Sequence, residues 1–82
     1  MAGRQSLTLY SRPDCHLCDE AVELLAGLGI GCEVVDIEND LALVRRYGTR
    51  VPVLRRGDEV ATLDWPFTEE DVHTYLGEFE DA

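Results

Sequence analysis

The sequence contains no lysine, and positive charge is scarce throughout it. Seven arginines stand against 17 acidic residues in 82, which gives a formal net charge of −10 at pH 7. Nucleic acids and anionic membrane surfaces would repel such a chain, so we expect neither as a partner. Long apolar runs are also missing. The longest uncharged, apolar-rich stretch, residues 24–32, has nine residues including three glycines, whereas a membrane-spanning helix needs about 20.

An apolar leader is missing as well, and cysteine is sparse. Residues 1–6 lead directly into a short apolar segment at Leu7, and no signal-peptide apolar region precedes it. Three cysteines, an odd number, argue against a secreted domain held together by disulfides. We therefore expect a cytoplasmic protein. Its 82 residues, 45% of them hydrophobic, suit a single domain over residues 1–82, and we expect a monomer.

Hydrophobic patterning predicts four strands and three helices. Short β-prone segments place strands at residues 7–10, 32–37, 51–54 and 59–63, with a hairpin turn at 55–58. A first helix begins close to Cys15, and its apolar stripe is Cys18, Ala21, Val22, Leu25 and Leu28. A second follows a cap at Asn39 or Asp40 and carries Leu41, Leu43, Val44 and Tyr47. A third follows Thr68 and carries Val72, Tyr75, Leu76 and Phe79.

The order of these elements, β-α-β-α-β-β-α, predicts the fold class. The initial strand–helix–strand run of about 30 residues is a βαβ unit, which implies parallel pairing and a right-handed crossover. We therefore predict an α/β fold in which helices flank a small, four-stranded mixed sheet.

The most informative motif is Cys15-His16-Leu17-Cys18, which lies where the first strand passes into the first helix. Taken alone, the spacing fits a redox dithiol, half a zinc site or two unrelated buried thiols. A thiolate at a helix N-terminus meets unpaired N–H groups and the positive end of the helix dipole, which lower its pKa. The i, i+3 spacing puts both thiols on one face, so we predict Cys15 as the exposed nucleophile and Cys18 as the covered resolving cysteine.

Metal and haem interpretations of this motif are weaker. A zinc site needs two further ligands, and His16, Cys32 and His73 form no second pair at the usual spacing. Covalent haem attachment needs a histidine where Asp19 stands. We therefore expect no metal site. For His16, two interpretations stay open: an imidazolium that stabilises the Cys15 thiolate and the bound substrate, or an exposed side chain at the helix start.

The motifs and their order resemble the glutaredoxin branch of the thioredoxin superfamily over residues 7–79. The similarity is greatest to small, acidic, bacterial glutaredoxin-like proteins with a C-H-L-C active site, and it rests on Leu7-Thr8-Leu9-Tyr10, Cys15-His16-Leu17-Cys18 and Arg50-Val51-Pro52-Val53-Leu54. The resemblance implies a thioredoxin-like fold in which Pro52 is cis and faces the dithiol. It also implies that Val51 offers its backbone to a substrate peptide or to glutathione.

Three departures from ordinary glutaredoxins bear on glutathione. His16-Leu17 replaces Pro-Tyr between the cysteines, and the usual lysine before the first cysteine is absent, with Arg12 as its candidate replacement. Bulky residues 63–67 stand where glutaredoxins place Gly-Gly-x-x-Asp to bind glutathione. Arg12 and Arg50 are the arginines best placed to receive a glutathione carboxylate. We expect weak use of glutathione as a co-substrate and no required cofactor.

Three functions compete at this point. The first is a thiol–disulfide oxidoreductase acting on a disulfide-containing protein or a small thiol, recycled by a reducing system that is either glutathione or a reductase. The second is a glutaredoxin-like carrier of an iron–sulfur or metal centre through Cys15. The third is a non-catalytic thioredoxin-fold domain that binds a partner, with Trp65 and Phe67 as contacts if they are exposed. The presence of both Cys15 and Cys18 favours the first.

Overall fold

The elements of the fold follow the predicted order. The computed structural model describes residues 7–57 and 61–77. Its elements are β1 (Leu7–Ser11), α1 (His16–Gly27), β2 (Glu33–Asp36), a 3-10 turn (Ile37–Asn39), α2 (Leu41–Tyr47), β3 (Val53–Arg56), β4 (Thr62–Asp64) and α3 (Glu69–Leu76). The α/β prediction is therefore confirmed. No helix in the described parts of the chain has the length and apolarity to cross a bilayer.

The four strands form one mixed sheet in the order β2-β1-β3-β4. β1 pairs in parallel with β2, whereas β3 runs antiparallel to both β1 and β4. Ser11 lies opposite Asp36, Tyr10 opposite Val53, and Val53 opposite Asp64. The carboxyl ends of β1, β2 and β4 therefore lie beside the amino end of β3. Together these strand ends form one edge of the sheet, and the loop to Cys15 leaves from this edge.

The apolar core occupies both faces of the sheet because neighbouring strand residues point to opposite sides. On one face, α1 and α3 cover the strands, and the buried residues are Leu9, Ala21, Leu25, Leu54, Phe67 and Val72. On the other face, α2 and the 3-10 turn cover Tyr10, Ile37, Tyr47 and Val53. The rings of Tyr10 and Tyr47 stack with their centroids 4.5 Å apart. Leu9 belongs to the first cluster and Tyr10 to the second, so β1 is packed on both of its faces.

Helix ends follow local rules that the sequence shows. Asp40 caps α2 by accepting backbone N–H groups, which confirms one of the two predicted caps. Thr68 and Asp71 form a capping box at the start of α3. Gly77, with φ at 76°, ends this helix in the left-handed conformation. Phe79, predicted on the same helix, lies outside the described residues.

The strand boundaries differ from those predicted. β3 covers Val53–Arg56 rather than residues 51–54, because Arg55 and Arg56 pair with Thr8 and Leu7 of β1. The prediction of a turn at Arg55 and Arg56 is therefore wrong, and Asp58 of that turn lies outside the described residues. β2 ends at Asp36, since the chain turns into the 3-10 helix at residue 37. β4 begins at residue 62, and residues 59–60 of its predicted range are not described.

Two residues predicted on apolar helix faces lie on the surface instead. Val22 is 38% exposed and Leu41 is 65% exposed. In α1 the buried face is centred on Cys18, Ala21 and Leu25. Val22 lies about 100° around the helix from Ala21, beyond the reach of the sheet. The face that α1 presents to the core is therefore narrower than the sequence pattern predicts.

Candidate functional site

The two cysteines of the motif lie together at the start of α1. Cys15 is the N-cap residue, and its Sγ accepts the backbone N–H of Cys18 at 3.1 Å. The sulfur atoms of Cys15 and Cys18 are joined in a disulfide, with Cα atoms 5.2 Å apart, a separation typical of disulfides. Cys18 is 3% exposed, whereas Cys15 is partly exposed. A substrate can therefore approach the sulfur of Cys15 and not that of Cys18.

The backbone makes a sharp turn just before the dithiol. Asp14 has φ at 58°, and it is the one non-glycine residue with positive φ within residues 7–57 and 61–77. Aspartate tolerates this left-handed conformation better than most residues do. The turn carries the chain from the end of β1 into the cap of α1. Asp14 consequently lies next to Cys15 with an exposed carboxylate.

Pro52 lies at the same edge of the sheet as the dithiol. Pro52 directly precedes Val53, which is opposite Tyr10 near the end of β1, so Pro52 is at the end of β3 where the loop to Cys15 leaves the sheet. Pro52 is fully buried, and the peptide bonds before Pro52 and Pro66 are both cis. A direct contact between Pro52 and the dithiol stays a prediction.

The backbone N–H of Val51 already has a partner. It donates to the carbonyl of Tyr47 at 3.1 Å, where α2 ends. The resemblance implied that the Val51 backbone would bind a substrate peptide or glutathione. In this structure only the carbonyl of Val51 is a candidate for that role, since a peptide unit has one N–H to donate.

Arg12 is held at the surface by three hydrogen bonds to the protein. Its Nε and Nη2 donate to Oε2 of Glu38 at 3.1 and 2.9 Å, and its Nη1 donates to the carbonyl of Gly48 at 3.1 Å. These contacts join the loop after β1 to the 3-10 turn and to the end of α2. These contacts use three of the five N–H donors of Arg12, and the Glu38 carboxylate offsets the charge that an external carboxylate would meet.

Arg50 forms a two-point pair with Asp64. Its Nε and Nη2 donate to the two carboxylate oxygens at 2.9 and 3.1 Å, and Nη2 also donates to Oγ1 of Thr62 at 3.0 Å. The guanidinium lies 5.4 Å from the ring centroid of Tyr47. The hydrogen bonds raise the pKa of Arg50 and lower the pKa of Asp64. Both arginines predicted to receive a substrate carboxylate are thus paired with carboxylates of the protein.

Three further side chains considered in the sequence analysis are those of His16, Cys32 and Phe67. His16 is 86% exposed, and its Nε2 lies 3.1 Å from Oε2 of Glu20, in agreement with an exposed side chain at the helix start. Cys32 is partly buried, and this burial raises the pKa of its thiol. Phe67 is 4% exposed and packs edge-to-face against Trp65 at 5.0 Å, so it belongs to the core.

Two contacts that shape the site were missed in the sequence analysis. Glu38 lies 26 residues from Arg12, and Asp64 lies 14 residues from Arg50. Neither separation matches a helical or strand repeat, so no local pattern signals these pairs. Among the described residues, no group of three His, Cys, Asp or Glu side chains is arranged to hold a metal ion.

Comparisons with known proteins identify a family and similar solved structures. The model of the glutaredoxin-like domain family (DUF836) matches residues 6–77, and no curated protein matches the chain significantly. Two structures of the structural genomics target XcR50 from X. campestris are similar. The X-ray structure is 49% identical to this chain, with a TM-score of 0.78, and the match covers 89% of this chain and 97% of the XcR50 chain. The solution structure is 47% identical with a TM-score of 0.77 and covers 89% and 94%.

A more distant solved structure has the same architecture. The NMR structure of protein Ne2328 from Nitrosomonas europaea is 30% identical to this chain, with a TM-score of 0.75. It covers 92% of this chain and 94% of its own. These similarities extend over nearly the whole domain.

Proposed function

Because the chain belongs to the glutaredoxin-like domain family (DUF836) and has a thioredoxin-like fold, we propose that it is a thiol–disulfide oxidoreductase. Cys15 is the nucleophile and Cys18 the resolving cysteine. The observation that supports this most directly is the Cys15–Cys18 disulfide at the start of α1, with only Cys15 accessible. After reduction, the positive end of the helix dipole and the N–H of Cys18 favour the thiolate of Cys15 over its thiol.

The proposed reaction has two exchange steps. The thiolate of Cys15 attacks one sulfur of a substrate disulfide, that S–S bond breaks, and one substrate thiolate leaves as a mixed disulfide forms. Cys18 then loses its proton and attacks Sγ of Cys15, which releases the second substrate thiol and closes the Cys15–Cys18 disulfide. The substrate gains the two electrons and two protons that the dithiol loses. Two electrons from glutathione or a dithiol reductase restore the reduced protein.

We propose that a disulfide-containing protein or a small disulfide other than that of glutathione is the substrate. Glutathione has two carboxylates and one amine and is therefore an anion near neutral pH. At Arg12 or Arg50 it would have to compete with the Glu38 or Asp64 carboxylate that already neutralises the guanidinium. Pro66, in the segment where glutaredoxins offer backbone amides, has no N–H to donate.

The cellular setting is part of the same proposal. We place the protein in the cytoplasm, where glutathione and thioredoxin systems keep dithiols reduced between turnovers. The reaction requires one chain, since both cysteines come from the same helix start. We therefore propose a monomer as the active form.

The test is a redox titration in which the free thiols are counted. Wild type and Cys32→Ala are equilibrated in dithiothreitol buffers of varied potential, trapped by alkylation and weighed by mass spectrometry. We expect both proteins to interconvert between forms that differ by two thiols, with the same midpoint. Cys18→Ser should trap a mixed disulfide with a substrate, and Cys15→Ser should trap none. A dithiol that never exchanges, or trapping by Cys15→Ser alone, would refute the assignment.

A further inference from the structure

The side chains around the dithiol carry unneutralised negative charge. Asp14 precedes Cys15 directly, and Asp19 follows it by one helical turn, with its backbone N–H on the Cys15 carbonyl at 3.2 Å. Asp19 therefore lies in the first turn of α1, on its solvent-exposed side and close in sequence to Cys15. Both carboxylates are exposed, and neither has a side-chain partner in residues 7–57 and 61–77.

The cations at this edge of the sheet do not offset that charge. Arg12 and Arg50 are neutralised by Glu38 and Asp64 at 2.9 Å. Arg45 and Arg46 lie in the last turn of α2, which packs on the opposite face of the sheet from α1. His16 lies beside Glu20, and any charge that it gains is balanced there. A molecule that approaches the sulfur of Cys15 therefore meets a negative field.

We propose that the preferred substrate is a disulfide flanked by positive charge, either a small cationic disulfide or a disulfide in a basic protein segment. This inference rests on the proposed function, because the dithiol makes the site and Asp14 and Asp19 only select what reacts there. Leu17, 46% exposed between the two cysteines, adds an apolar contact. The methylene groups of a lysine or arginine side chain fit such a surface while the charged end reaches a carboxylate.

The expected size of the preference follows from Coulomb's law. Two unit charges about 7 Å apart in water interact by about the thermal energy, so each carboxylate changes the rate by about two- to threefold per substrate charge. Two carboxylates should therefore favour a disulfide with one nearby positive charge over a neutral disulfide by about four- to ninefold at low salt, and over an anionic disulfide by more. At about 0.5 M salt the Debye length falls to about 4 Å, and most of this difference should vanish.

Three small disulfides of similar size and different charge provide the test. Reduced Cys32→Ala protein is mixed with cystamine, bis(2-hydroxyethyl) disulfide or 3,3′-dithiodipropionate, quenched in acid and analysed by mass. Each rate is divided by the rate of dithiothreitol with the same disulfide, which removes differences in the leaving thiols. We expect cystamine to be fastest and dithiodipropionate slowest. Equal normalised rates, or a faster anionic disulfide, would overturn the proposal.

Variants and peptides complete the test. Asp14→Asn and Asp19→Asn should each reduce the preference for cystamine over the neutral bis(2-hydroxyethyl) disulfide by about two- to threefold for each substrate charge near the site. Glu33→Gln removes the same charge at the far end of β2 and should leave the preference unchanged. The peptides Arg-Cys-Arg and Glu-Cys-Glu, each as a mixed disulfide with 2-mercaptoethanol, distinguish a basic protein segment from a small cationic disulfide as the substrate. If the arginine peptide exceeds cystamine the substrate is a basic segment, and otherwise it is a small cation.

Failure of the two proposals looks different in these assays. If the protein reacts with none of the disulfides, including the neutral one, the proposed function itself fails. If it reacts with all of them without a charge preference, the oxidoreductase assignment stands and only the cationic substrate is refuted. An arginine peptide no faster than the glutamate peptide would count against the cationic substrate in the same way.

Discussion

Replacing Asp64 with asparagine should raise the use of glutathione. In the structure, Asp64 accepts two hydrogen bonds from Arg50 and a third from Thr62. The asparagine keeps the shape of the side chain but loses the charge that pairs with the guanidinium. Arg50 is then available to a glutathione carboxylate at the edge of the sheet where the loop to Cys15 begins.

The magnitude follows from the exposure of the pair. Both side chains are 42% exposed, so solvent screens the pair and limits its strength to about 0.5–1 kcal/mol. Removing that competition should increase glutathione-dependent turnover by about two- to fivefold. The increase should appear in KM for the glutathionylated substrate more than in kcat, because the change affects binding.

The assay couples reduction of a small glutathione mixed disulfide to glutathione reductase. Glu33→Gln, with the same change of net charge far from the dithiol, is the matched control and should behave as wild type. Adding Arg50→Ala to Asp64→Asn should abolish the gain. The reasoning is refuted if Asp64→Asn shows no gain, or if Arg50→Ala alone strongly impairs wild-type turnover with glutathione.

Three further predictions concern stability and thiol reactivity. Leu25→Ala, at a position 1% exposed, should lower the free energy of urea unfolding by about 2–4 kcal/mol, and Val22→Ala by less than about 0.5 kcal/mol. The pKa of Asp64 is lowered in the fold, so its carboxylate contributes to the free energy of unfolding. That contribution is complete above the unfolded pKa of about 3.9 and is lost as the pH falls through the lower, folded pKa. In Asp64→Asn the free energy of urea unfolding should therefore fall less steeply with acid. Burial raises the pKa of Cys32, so iodoacetamide should modify Cys15 of the reduced protein much faster near neutral pH, and comparable rates would contradict this.

The local features of this fold could be predicted from the sequence, and the distant ones could not. The cap of α2 at Asp40 and the capping box from Thr68 to Asp71 depend on side chains that reach their own backbone. The pair of cysteines at the start of α1 could also be predicted, because both belong to one short segment of the sequence. The position of β3 could not, because its last residues, Arg55 and Arg56, are in the strand through pairing with β1. An apolar run shows where a strand is buried, not how far its ladder extends.

The charges of the site show the same division. Counting residues identified Arg12 and Arg50 as the arginines closest to the proposed substrate, and both do lie at this edge of the sheet. Their partners come from residues 38 and 64, brought near by the 3-10 turn and by the β3–β4 pairing. Since those contacts exist only after the sheet forms, the sequence suggested free cations where the fold has neutral pairs.

The outer strands of the sheet bear on how the protein behaves at high concentration. β2 and β4 are its outermost strands, with four and three residues in the described structure, and β2 carries the exposed carboxylate of Glu33. Short, charged edges discourage neighbouring molecules from joining their sheets. With a sequence pI of about 4.3, that mutual repulsion disappears in mild acid. The half-exposed Val34 on β2 can then contact neighbouring molecules. We therefore expect colloidal stability to be lowest near the isoelectric pH.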